Sequence, residues 1–255
     1  QAGVDQFGGE VCSEVLVELV ATGQVTEARL DLSVARLLKE KFLLGLFDRP
    51  FVDPEQAQTV VGSSRFRDQG LAAQRAAVTV LTDDPPGGSA AEPVLPLRAD
   101  LRVYVEGLDP QALDGRARVV GDVGSADVAI LRLQAPFERR GGGFEAYFHS
   151  GSLEFDAETL DHVAEVCRAV PTVVDVYLDR PAVLTPLTTA AALVVTFGTS
   201  DAALVDVLFG GASPRGRLPF DLPRSMAAVE ASRTDVPFDT EDPLFRFGHG
   251  LTYPG

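Results

Sequence analysis

The side chains best suited to chemistry gather in one stretch, Gln134-Ala-Pro-Phe-Glu-Arg-Arg-Gly-Gly-Gly-Phe-Glu-Ala-Tyr-Phe-His-Ser-Gly-Ser-Leu-Glu154. It holds three carboxyl groups, Glu138, Glu145 and Glu154, together with the imidazole of His149 and the hydroxyls of Ser150 and Ser152. A carboxyl group gives a proton in one state and takes it back in the other, so each is a possible general acid or base. Each also has a plainer reading. Glu138 stands beside Arg139 and Arg140, and a neighbouring cation favours the charged carboxylate, the opposite of what a general acid needs. Glu145 and Glu154 read first as solvated surface groups. Phe144, Tyr147 and Phe148 are expected to anchor the loop by core packing, and His149 to fasten the loop.

Other chemistries find no support. A serine nucleophile at a strand–helix turn needs Gly-x-Ser-x-Gly, and neither Gly151-Ser-Leu-Glu-Phe155 nor Gly62-Ser-Ser-Arg-Phe66 supplies it. Gly121-Asp-Val-Gly-Ser125 lacks the lysine and the glycine spacing of a phosphate loop and reads as a turn between strands. Three scattered histidines give no metal spacing. Cys12 and Cys167 lie far apart without a CxxC pattern and read as small buried apolar groups. A net charge of -15 argues against nucleic acid or an anionic membrane as partner. No apolar run approaches the length of a membrane span.

The elements that must position the carboxylates follow from the hydrophobic pattern. Residues 10–22 and about 31–44 read as helices; in the second, Leu30, Val34, Leu37, Leu38 and Phe42 share a face, with Asp31 as N-cap and Gly45 as the stop. Asp48-Arg-Pro-Phe-Val-Asp-Pro54 breaks the helix and reads as a linker, and Phe66–Ala76 as a further helix. Beyond it, short near-continuous apolar runs at Ala77–Thr82, Leu101–Val105, Arg118–Val120, Val128–Leu133, Thr172–Tyr177 and Leu193–Phe197 read as strands buried on both faces. Helical segments at Ala157–Ala169, Thr185–Ala190 and Asp201–Leu208 lie between some of them. This alternation predicts an α/β layered domain with a mostly parallel sheet. Such sheets gather ligands at loops after the carboxyl ends of strands, which is where the stretch from Gln134 falls.

The end of the chain carries a different signal. Gly216-Arg-Leu-Pro-Phe-Asp-Leu-Pro-Arg-Ser225 and Asp242-Pro-Leu-Phe-Arg-Phe-Gly-His-Gly-Leu-Thr-Tyr253 place Pro and Gly among large apolar groups without periodicity, as a covering segment with set turns would. Both runs resemble the end of the C-terminal domain of glycoside hydrolase family 3. Phe197-Gly-Thr-Ser-Asp-Ala-Ala-Leu-Val-Asp-Val-Leu-Phe-Gly210 is similar to the strand–turn–helix that precedes them, and Ala73–Leu81 to the start of that domain. Arg36-Leu-Leu-Lys-Glu-Lys-Phe-Leu-Leu-Gly-Leu-Phe47 resembles the closing helix of the family's (β/α)8-type barrel, and Ala2-Gly-Val-Asp5 a turn late in that barrel.

The resemblance implies an organisation and a chemistry. Residues 1–49 correspond to the tail of the barrel, 50–75 to a linker and connecting helix, and 76–255 to a three-layer α/β sandwich with a mostly parallel sheet. Family members of this kind are retaining, exo-acting β-glycosidases that cut O-glycosidic bonds at non-reducing ends. Their nucleophile is a barrel Asp in a Ser-Asp-Trp-like motif. This chain has no tryptophan and is expected to start after that Asp, with Asp5 structural, and so to be inactive alone. The acid/base in several members is a Glu in a Pro-Tyr-x-Glu-x-x-Gly-Asp loop. Pro136-Phe137 matches its start, but Glu138 comes one residue early, Arg139 takes the matching place and a glycine run replaces Gly-Asp. Glu138 is thus the first candidate acid/base and Glu145 the second, with His149 and Ser150 as candidate sugar-binding residues. The implied partners are a β-linked glycoside and the N-terminal barrel of the same protein. No cofactor or metal is implied. A module of another class, shaping a sugar subsite without catalysis, stays open as the alternative.

Overall fold

The computed structural model describes residues 3–9, 11–84 and 92–253, and the backbone alone at Phe144 and Glu145. The chain divides into two units, residues 1–64 and 65–255. In the first, helices α1 (Ser13–Ala21), α2 (Glu27–Leu43) and α3 (Pro54–Val60) follow one another. One expectation is corrected here. Asp31 does not cap α2. Thr26 does, its hydroxyl accepting the Arg29 amide at 3.2 Å, so the helix starts earlier and Asp31 lies inside it. A helix the sequence reading did not include, α3, follows the non-helical stretch 48–53, because Asp53 accepts the amides of Glu55 and Gln56 while Pro54 takes the first helical position, where no N–H is needed. Asp5 accepts a hydrogen bond from the Ser33 hydroxyl at 2.7 Å and pairs with Arg36.

In the second unit, α4 (Ser64–Ala77) leads into β1 (Thr79–Thr82). The strands β2 (Arg102–Glu106), β3 (Arg118–Val119), β4 (Val128–Gln134), β5 (Thr172–Tyr177) and β6 (Ala192–Thr196) complete a six-stranded sheet of order β1-β6-β5-β4-β2-β3. Every pairing in it is parallel except that of β1 with β6. The β-branched and aliphatic runs predicted as strands are these strands; β1, β4, β5 and β6 are mostly buried, which explains their near-continuous apolar character, whereas β2 has only Val103 buried and β3 at the edge has no buried residue.

One face of the sheet is covered by α5 (Ala157–Ala169), where Val163 and Val166 pack with Leu131, Val174 and Leu193. The other is covered by α6 (Asp201–Leu208), where Leu204 and Leu208 pack with Ile130, Val173 and Val194. The result is the expected three-layer α/β sandwich. Asp206 on α6 pairs with both Arg75 and Arg116. The closing segment adds β7 (Leu222–Pro223), α7 (Met226–Ala231) and β8 (Pro243–Phe245), with β7 and β8 antiparallel.

Among the described residues no helix is long and apolar enough to cross a membrane, and no group of three or more His, Cys, Asp or Glu side chains could hold a metal ion. Cys12 and Cys167 are half-buried, not buried as expected, and burial pushes the Cys167 thiol up.

Candidate active-site loop

The stretch singled out by its carboxylates starts where β4 ends. Ala135 is still tied to the sheet, its amide donating to the Tyr177 carbonyl at 2.9 Å. The chain then rises through Phe137 to Glu138, turns at Gly142 and Gly143, both with positive φ, and passes through a 3-10 turn at Phe144–Tyr147. It returns antiparallel, and the Glu138 amide donates to the Ser150 carbonyl at 2.8 Å. Leu153, buried, closes the loop by accepting the Val183 amide at 2.8 Å.

Glu138 is exposed and lines a cleft of about 580 Å³ together with Gln134, Phe137, Ser152, Glu154 and Asp156 among others. Its Oε1 accepts the Ser152 amide at 3.1 Å, and among the described residues it forms no ion pair with Arg139 or Arg140. Gly151 makes this approach possible. With φ of +87°, it would carry a Cβ only 2.7 Å from the Cβ of Glu138 and overlapping Cγ and Cδ. The other acids of the cleft differ in their duties. Asp156 caps α5 by accepting the Thr159 amide at 2.7 Å, which holds its carboxyl below the usual range. Glu154 is exposed on the return limb.

His149 stacks on Phe137, ring centroids 3.7 Å apart and planes 8° from parallel, and its Nδ1 is bonded to the Asp179 carboxylate. The neighbouring Arg180 donates from Nη2 to the Gly151 carbonyl at 2.8 Å. Ser150 Oγ and Arg180 Nη1 are buried without a hydrogen-bond partner among the described residues. Glu138, His149 and Ser150 therefore share one loop, and residues just past β5 hold it. The Glu145 side chain lies outside the described residues, as does that of Phe144. Tyr147 and Phe148 correct an expectation: they are 84% and 55% exposed and do not enter the core. Tyr147 ends the 3-10 turn and Phe148 follows it, on the part of the loop farthest in sequence from its two anchored ends.

Sequence reasoning missed the charged network beneath. Arg132 on β4 and Asp175 on β5 stand opposite each other in register, with Nε 3.0 Å from Oδ2. Arg132 also pairs with Asp201 at the start of α6 and donates to the Thr199 carbonyl at 2.5 Å. Asp175 is fully buried, which pushes its carboxyl up to about 7 against the pull of Arg132 and a hydrogen bond from Thr196. A signal was present, since each charge interrupts a run that is otherwise apolar or β-branched. His249, on the closing segment, is bonded through Nε2 to the Leu81 carbonyl at 2.8 Å and stacks on Phe245.

Comparison with known proteins bears on this arrangement. Residues 38–253 match the model described as "Glycosyl hydrolase family 3 C-terminal domain". Beta-glucosidase C of Emericella nidulans is 49% identical to this chain, over 99% of the chain and 40% of that protein. The periplasmic beta-glucosidase/beta-xylosidase of Dickeya chrysanthemi is 40% identical, over 99% of this chain and 38% of that protein. The crystal structure of beta-glucosidase from Listeria innocua in complex with glucose has the same fold, with a TM-score of 0.70 at 20% identity, over 99% of this chain and 42% of that one. The chain thus spans about two fifths of the length of these relatives.

Proposed function

Because this chain belongs to the glycosyl hydrolase family 3 C-terminal domain family, we propose that it serves as the α/β portion of a retaining, exo-acting β-glucosidase. In this reading Glu138 is the acid/base, and an N-terminal barrel of the same protein supplies the nucleophile and most of the sugar pocket. The observation that carries the reading is the presentation of Glu138. It stands beyond the carboxyl end of a central strand, beside a cleft, and one backbone amide holds it where two adjacent arginines could have neutralised it.

Retaining hydrolysis needs two carboxyl groups about 5–5.5 Å apart across the bond to be cut. One attacks the anomeric carbon while the other protonates the departing oxygen. The second then removes a proton from the water that releases the sugar. Glu138 suits this second role, since the Ser152 amide fixes the direction of its carboxyl without enclosing it. The relatives named as beta-glucosidases support the substrate class. The 255 residues by themselves are expected to hydrolyse no aryl β-glucoside, because the attacking group in this reading belongs to the barrel.

The test is Glu138→Ala in the full-length protein. Loss of the acid is expected to lower kcat/KM for β-glucosides with poor leaving groups by about 10²–10⁴-fold. The value for 2,4-dinitrophenyl β-glucoside, whose leaving group needs no proton, should hardly change, and azide should restore turnover by attacking the glycosyl-enzyme. Equal losses on both substrates would remove Glu138 from the role and favour the non-catalytic module.

A further inference from the structure

The hydrogen bond that aims Glu138 does not end at Ser152. The Ser152 N–H that donates to Glu138 Oε1 belongs to the same peptide group as the Gly151 carbonyl. That carbonyl accepts Nη2 of Arg180 at 2.8 Å. A peptide group is planar and rigid, so fixing its oxygen fixes the direction of its N–H. The guanidinium thus acts on the carboxylate through one peptide plane.

Two further features make this plane a fixed one. Gly151 adopts φ of +87°, which only glycine takes without strain, and any Cβ there would overlap the Glu138 side chain. The residue two places earlier, His149, is held by Asp179, the chain neighbour of Arg180, while its ring lies on Phe137, the chain neighbour of Glu138. Adjacent residues past β5 therefore grip the loop at adjacent points on either side of Ser150.

We propose that Arg180 is a positioning residue for Glu138, acting through the Gly151–Ser152 peptide, with Asp179 and His149 as the second point of the same clamp. The proposal rests on the acid/base reading of Glu138. It assigns Arg180 no contact with substrate, so its loss should act on proton transfer and not on sugar binding.

The experiment compares Arg180→Ala, Arg180→Lys and Glu138→Ala in the full-length protein, on an alkyl β-glucoside and on 2,4-dinitrophenyl β-glucoside. Arg180→Ala is expected to lower kcat/KM for the alkyl glucoside by roughly 10- to 100-fold and to leave the dinitrophenyl value and the inhibition constant of glucose unchanged. Arg180→Lys, which keeps the cation, should recover part of the loss, which separates positioning from a folding defect. If Glu138→Ala shows the leaving-group selectivity and neither Arg180 variant does, the positioning role is overturned and the acid/base reading stands. If Glu138→Ala itself shows no selectivity, that reading falls and the inference with it.

Discussion

Asp175 shows how much one side chain can weigh in this domain. It has no exposed surface, its Oδ1 lacks a hydrogen-bond partner among the described residues, and burial lifts its carboxyl from the ordinary 3.8 to about 7. The sign of the consequence follows from linkage. Between about pH 4 and 7 the folded state keeps a proton that the unfolded chain has released, so stability falls as pH rises through this window. Asp175→Asn removes that dependence. Relative to the parent chain, the variant should gain about 1–3 kcal/mol between pH 5 and pH 8, within the limit of about 1.4 kcal/mol per pH unit. Urea midpoints of both chains at the two pH values measure it. A difference that stays constant would mean that Arg132 and Thr196 hold Asp175 charged throughout.

At the scale of elements, the closing segment owes its odd composition to an exposed edge. β1 is an edge strand, paired with β6 on one side only. On the other side the Gly216 amide donates to the Val78 carbonyl at 3.1 Å, the Leu251 amide to Val80 at 2.8 Å, and His249 to Leu81. Strand edges left open in this way template unwanted pairing, and here the segment covers the edge. The approach is so close at Gly216 that an added Cβ would lie 2.5 Å from the Ala77 carbonyl oxygen and 2.6 Å from that of Val78. Gly216→Ala should therefore destabilise the domain by about 1–3 kcal/mol. Gly70→Ala, on α4 where a Cβ meets nothing within 4 Å, should stabilise it by up to about 1 kcal/mol. Chemical denaturation of the two variants reads both signs, and a similar cost for both would dismiss the edge account. These elements were unequally legible. Ala157–Ala169, Thr172–Tyr177 and Asp201–Leu208 were readable from the sequence, because local periodicity and buried apolar runs define them. The antiparallel sense of β1 was not, since it depends on a partner more than a hundred residues away. Helix α3 was hidden by reading Pro54 as a breaker, although Asp-Pro is also a cap followed by a first helical residue. The same division holds at the candidate site. Glu138 and His149 announce themselves by type and by place after a strand, whereas Asp179 and Arg180 join them only through tertiary contact.

Across the whole molecule the two units differ in what could hold each together. Residues 65–255 bury two apolar clusters, one on each face of the sheet, with side chains such as Leu131, Leu193, Leu204 and Leu208 at 1% exposure or less. Residues 1–64 have no such core among the described residues. The buried side chain there is Ser33, while Phe42, Leu43, Leu44, Phe47 and Phe51 are all more than half exposed. An isolated helix of the length of α1 or α2 is marginal in water, because nucleation is costly and most helical stability comes from packing an apolar face. Under the function proposed above, the barrel covers these groups. The 65–255 segment, expressed alone, is accordingly expected to melt in one cooperative transition, with slow amide exchange in β4, β5 and β6. The 1–64 segment alone is expected to show weak helical dichroism and a broad, non-cooperative melt. A sharp transition in 1–64 would show that its helices need no covering surface, and the case for a barrel partner would then rest on sequence similarity alone.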